Sequence, residues 1–124
     1  MISCNTIFAQ MCEEFGAADS SEKFAASVLR SINSVVRELK IKTVLAPATV
    51  SSTTSQIDLD DDYYDIVCAG VRHFVSVSGE WGRSPKGELR EDWGRAIANA
   101  QTLSMEGAYP ARISGTQAAA EETE

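Results

Sequence analysis

Asp58, Asp60 and Asp62 alternate in the stretch IDLDDDYY, a spacing that lets carboxylates converge on a hard divalent cation. A calcium loop starting at Asp58 needs glycine at its sixth position and glutamate at its twelfth; the chain has Tyr63 and Ala69 there. Carboxylates just ahead of a helix have a second use. They accept hydrogen bonds from unpaired amide N–H groups and meet the positive end of the helix dipole. Capping, with Asp60 as the N-cap, accounts for the run better than a cation site. His73 is the single histidine. A Ser–His–Asp relay built on it lacks any marked nucleophile, and Cys68 lies five residues before it, a spacing that does not bring two side chains together on a helix. Cys4, Cys12 and Cys68 share no C-x-x-C spacing and read as reduced, partly buried thiols. One histidine and three scattered cysteines do not make a zinc site. Gly79, Gly82 and Gly87 around Lys86 match no phosphate loop. No reaction is legible, so neither an enzyme, a metal nor a cofactor is expected.

What the sequence does specify is packing. Tyr63, Ile66, Val67, Gly70, Val71, Phe74 and Val75 form one face of a 3.6-residue repeat, the stripe of an amphipathic helix spanning 57–77 behind its acidic start. A first helix is expected over Thr6–Phe15, with Ile7, Phe8, Met11, Cys12 and Phe15 inward and Gly16 as its stop. A second runs from Ser21 to Lys40, capped by Asp19 or Ser20, with Phe24, Ala25, Val28, Leu29, Ile32, Val35, Val36 and Leu39 as its stripe. Its other side holds Ser27, Arg30, Ser31, Ser34 and Arg37, and Asn33 sits at the boundary as a hydrogen-bonding residue. The pattern then changes. Ile41, Thr43, Val44 and Leu45, then Thr49 and Val50, are β-formers broken at Pro47, and a Ser/Thr tract covers 51–55. This predicts a short β-hairpin or extended arm over about 41–57. Trp81 falls in a turn-rich connection. A fourth helix begins near Ser84–Pro85 and ends near Met105, with Leu89, Trp93, Ala96, Ile97, Ala100 and Leu103 inward. There Glu91 and Arg95 are spaced as an i,i+4 pair and Gly94 is expected to permit close helix approach.

The expected architecture is therefore mainly α, a small bundle of about four helices. Residues 1–105 form the domain, with the 41–57 insertion, and 106–124 form an extended C-terminal tail. The chain's 124 residues, 44% of them hydrophobic, suffice for one modest core. Its net charge of −7 comes from five Asp in 58–65 and from a tail of about −3, while the rest nearly cancels. That distribution argues against a nucleic-acid binder, which shows a basic stripe. No signal peptide and no membrane span are expected.

In order and loose consensus these features resemble the head-to-tail adaptors (connector or head-completion proteins) of the tailed-phage neck. The resemblance covers roughly residues 6–105 and rests on the helix ending SVLRSINSVVRELK, a Thr/Val-rich extended segment, and the entry Ile57, Leu59, Tyr63 into the next helix. It implies a structural virion protein, made in the host bacterial cytoplasm, with about twelve copies in a ring that joins the portal protein to a tail (nozzle or stopper) protein. DNA would pass through the ring as cargo without specific binding. Tyr109, Pro110, Arg112 and Ile113 would be portal contacts, and Val50, Ser52, Thr53 and Thr54 contacts with the tail or a neighbouring subunit. The alternative is a small helical regulatory or protein-interaction protein with no virion role.

Overall fold

Capping residues and apolar stripes set the elements. The computed structural model describes residues 1–18, 20–77 and 86–108, with backbone alone at 86–87 and 106–108. It is mainly helical, with α1 (Cys4–Phe15), α2 (Glu22–Lys42), α3 (Tyr64–Val77) and α4 (Lys86–Ala108). Two short strands, β1 (Ile2–Ser3) and β2 (Gln56–Ile57), pair antiparallel with Ile2 opposite Ile57 and Ser3 opposite Gln56.

Helix α1 stops where expected. Gly16 takes φ 66°, a left-handed conformation that costs glycine little, and its N–H bonds the Cys12 carbonyl. Helix α2 starts one residue later than its expected caps. Ser21 is the N-cap, and its hydroxyl accepts from the Phe24 N–H at 3.2 Å. Ser20 has no such role, and Asp19 lies outside the described residues. The cap matters because it fixes where Phe24 enters the core. Phe24 is fully buried between Phe8 and Phe15, with ring centroids 6.1 and 6.0 Å away. Ser21→Ala is expected to lower stability by about 1 kcal/mol in urea unfolding; an unchanged midpoint would mean that packing of Phe24 alone sets this boundary.

The hairpin expected from Ile41 to Val50 does not form. Helix α2 continues through Lys42, and Thr43 closes it, donating to the Leu39 carbonyl from both its N–H (2.9 Å) and its hydroxyl (2.6 Å). Lys40 and Lys42 in the last turn suit the negative end of the helix dipole, so β-branched Ile41 stays helical. The following stretch is the extended arm. It enters a strand only at Gln56–Ile57, and the strand partner is the chain's own beginning, with the Cys4 N–H also bonding the Ser55 carbonyl at 3.1 Å.

Asp60 caps the central helix as expected, but the helix does not span 57–77: Ile57 is held in β2 and α3 proper begins at Tyr64. Asp60 accepts from the Asp62 N–H at 3.0 Å and opens a single 3-10 turn, Asp61–Tyr63, that passes directly into α3. Helix α4 runs to Ala108, three residues beyond its expected end at Met105. The connection containing Trp81, the Ser84–Pro85 start and residues 109–124 lie outside the described residues.

The core gathers the four stripes, with Ile7, Met11, Ile32, Val35, Val67 and Val71 almost fully buried. Its tightest point is Gly70. A Cβ there would stand 2.5 Å from Val35 Cγ2 and 2.8 Å from the Trp93 ring, so α2, α3 and α4 meet at a residue without a side chain. Gly94 does not serve the close approach expected of it: nothing lies within 4 Å of its Cβ position. One step along α4 from inward-facing Trp93 turns a residue about 100° away from the contact. The polar side of α2 is also partly covered. Ser27 and Ser31 are buried, and the Ser31 hydroxyl donates to the Ser27 carbonyl at 2.9 Å.

Candidate functional site

The arm from Thr43 to Ser55 holds one of the two sets of expected contact residues. It is tied to the bundle by Asn33, whose Nδ2 donates to the Val50 carbonyl at 2.9 Å while its Oδ1 accepts from the Val50 N–H at 2.8 Å. Asn33 is thus the boundary hydrogen-bonder that its position at the edge of the α2 stripe predicts. Val50 itself is 9% exposed and belongs to the core, so it is not presented outward as a contact. Beyond it the chain turns tightly. Ser52 and Thr54 hydroxyls lie 2.9 Å apart, Thr54 N–H donates to Ser52 Oγ at 3.1 Å, and Ser55 N–H donates to the Ser52 carbonyl at 3.0 Å. Ser52 and Thr53 are half-buried and Thr54 is exposed. The apex offers hydroxyls on a pinned backbone, a surface for contact without bond-making chemistry.

The other expected contacts, Tyr109, Pro110, Arg112 and Ile113, lie outside the described residues. The surface near the end of α4 is described. At the end of the bundle where α4 finishes, Ile41 (76% exposed), Val44 (61%) and Met105 (47%) line one groove with Thr43, Gln101 and Ser104. Gln101 Nε2 donates to the Lys42 carbonyl at 3.0 Å and ties α4 to the end of α2. The sequence marks Ile41 and Val44 as β-formers and Met105 as a helix end. Their meeting depends on the crossing of α2 and α4, which no local pattern contains.

Ionisable groups between elements serve packing. Arg72 on α3 grips Glu14 on α1 through Nε to Oε1 at 2.5 Å and Nη2 to Oε2 at 3.0 Å, and Gln10 Nε2 donates to Glu14 Oε2 at 2.6 Å. The hydrogen bond from Glu14 raises the Arg72 guanidinium pKa against the opposing effect of burial. This pair joins residues 58 positions apart and was not foreseeable from helical spacing. Arg95 pairs with Asp92 rather than with the expected Glu91.

His73 is half-buried, and burial pushes its imidazole pKa down; Arg90 acts in the same direction and Glu38 against it. Its Nδ1 and the Ser76 hydroxyl have no hydrogen-bond partner among the described residues. Cys4, Cys12 and Cys68 are buried and none of them forms a disulfide. Burial raises the thiol pKa of Cys4 and of Cys68, which keeps both protonated and weakly nucleophilic. Burial and a hydrogen bond with Cys68 push the Tyr64 phenol up to about 12. Among the described residues no group of three or more His, Cys, Asp or Glu side chains is arranged to hold a metal ion, and no helix is long and apolar enough to cross a membrane. No family model, curated protein or solved structure matches this chain.

Proposed function

We propose that this protein is a structural subunit of a tailed-phage neck, an adaptor that assembles as a ring between the portal and the tail. The observation that carries the reading is the apolar end of the bundle. Of the exposed large apolar residues among those described, Met1, Ile41, Val44, Val77 and Met105, three (Ile41, Val44 and Met105) line one groove near the end of α4. Single exposed apolar residues are ordinary, whereas several lining one groove mark a surface that something covers. Once the C-terminal segment is engaged on the portal, a ring of identical subunits supplies such cover through repeated contacts. The helix order and the Ile57, Leu59, Tyr63 entry that resemble the neck adaptors point the same way, and the residues that join elements are engaged in packing.

In this reading Tyr109, Pro110, Arg112 and Ile113 reach the portal, while Ser52, Thr53 and Thr54 meet a tail protein or the next subunit. The acidic residues around Asp58–Asp62 would favour a channel along which DNA slides without sticking. The test is light-scattering mass, first of the protein alone and then mixed with the portal protein of the same phage. The expected result is a small species alone and a complex of fixed stoichiometry, about twelve subunits, on the portal. A stable oligomer that ignores the portal at all concentrations would overturn the reading in favour of a helical regulatory protein.

A further inference from the structure

We infer that the groove at the end of the bundle is the docking site of the chain's own C-terminal segment, with Tyr109 and Ile113 seated against Ile41, Val44 and Met105. This goes beyond the adaptor reading and stands without it.

Continuity of the chain gives the first reason. Helix α4 lays Met105 in the groove and ends at Ala108, one residue before Tyr109. Pro110 accounts for that end: the residue before a proline is disfavoured in the helical conformation, and the proline itself lacks the N–H that a further turn needs. A proline at this position disfavours continuation of the helix within one turn of the groove. From Ala108 back to the level of Met105 is about 4.5 Å along the axis, and the five residues from Tyr109 to Ile113 span up to about 17 Å when extended. A ligand tethered this closely has a high effective concentration, so it occupies the groove ahead of a separate molecule of equal intrinsic affinity.

Composition gives the second reason. Tyr109 and Ile113 are the only large apolar residues between 109 and 124, and both come before the segment turns to Gly, Ala and Glu. Lys42 also lines the groove, but its Nζ lies 3.3 Å from Glu38, so the match rests on the apolar residues. Two large apolar anchors within five residues of the helix end match an apolar groove lined by Ile41, Val44 and Met105.

Two measurements on the 124-residue chain test the docking. In methyl NMR, the double substitution Tyr109→Ala with Ile113→Ala is expected to shift the Ile41, Val44 and Met105 methyl signals while leaving those of Ile7 and Ile32 in place. Superimposable groove signals would overturn the proposal. So would shifts that vanish on tenfold dilution together with a fall in mass, because the groove would then be filled by a second copy. In limited trypsin digestion, Arg112 is the sole basic residue of the segment. Val44→Ser is expected to speed cleavage there about fivefold by releasing Ile113; an unchanged rate would overturn the proposal. Neither measurement uses the portal, so failure of the adaptor reading and failure of this one are separable. If both hold, assembly on the portal exchanges one cover of Tyr109 and Ile113 for another.

Discussion

Gly70→Ala is expected to destabilise the protein by about 2 kcal/mol although alanine is the better helix former. In the middle of a helix the exchange gains about 1 kcal/mol from backbone entropy and propensity. At Gly70 the added methyl must occupy space already taken by Val35 Cγ2 at 2.5 Å and by the Trp93 ring at 2.8 Å. Neither obstacle is the loose end of a flexible side chain. Val35 is fully buried and Trp93 is 5% exposed, so relief requires α2 or α4 to shift. Overpacking of this kind costs about 1–3 kcal/mol and occasionally more, which outweighs the propensity gain. Gly94→Ala is the internal control. Its Cβ meets nothing within 4 Å, so the same exchange is expected to stabilise by about 1 kcal/mol. Urea unfolding of the two variants should therefore give opposite signs. A stabilised Gly70→Ala would show that the three helices do not meet there.

The two glycines also show what could be read in the chain alone. Both lie in clear helical patterns, and Gly70 falls on the apolar stripe, so its inward direction was legible. That Gly70 touches Val35 and Trp93 was not, because residues 35, 70 and 93 are brought together by the crossing of three helices. The same division runs through the fold. Asp60 and Gly16 act within a turn of themselves, and the sequence marks both ends correctly. Ile41 is helical despite its β-branching because that preference is weak and the lysines on either side of it support a helix end, while Val44 follows in the extended arm. The strand that does form has two residues and takes as partner Ile2–Ser3, too short for any alternation to show. The candidate site divides likewise. The hydroxyl-rich apex at 51–54 could be seen as a polar tract, while the groove of Ile41, Val44 and Met105 exists only after α2 and α4 have crossed.

Asn33→Leu is expected to cost about 2–3 kcal/mol and to loosen the arm that carries the proposed contacts. Leucine keeps the approximate size of asparagine but strands both polar groups of the Val50 backbone, which the native side chain satisfies at 2.9 and 2.8 Å. Val50 is 9% exposed, so water replaces those bonds poorly, and each unpaired group costs about 1–3 kcal/mol. Asn33→Asp separates the loss of hydrogen bonds from a change of shape. Ionised aspartate still accepts from the Val50 N–H but sets a negative charge against the Val50 carbonyl. The protonated form donates and accepts as asparagine does. The folded state thus prefers the neutral acid and raises the aspartate pKa, so the bonding is present at low pH and is lost as pH rises through that folded value. Relative to the native chain, this variant should gain stability on acidification and lose it towards neutrality, a dependence that Asn33→Leu lacks. Amide hydrogen exchange should place the change at the Val50 and Ser55 N–H groups, with core amides such as Val67 following only the global stability. Uniform exchange across the arm and the core would mean that Asn33 supports the whole bundle. Exchange confined to the arm would make Asn33 the residue that holds Ser52, Thr53 and Thr54 in place for a partner.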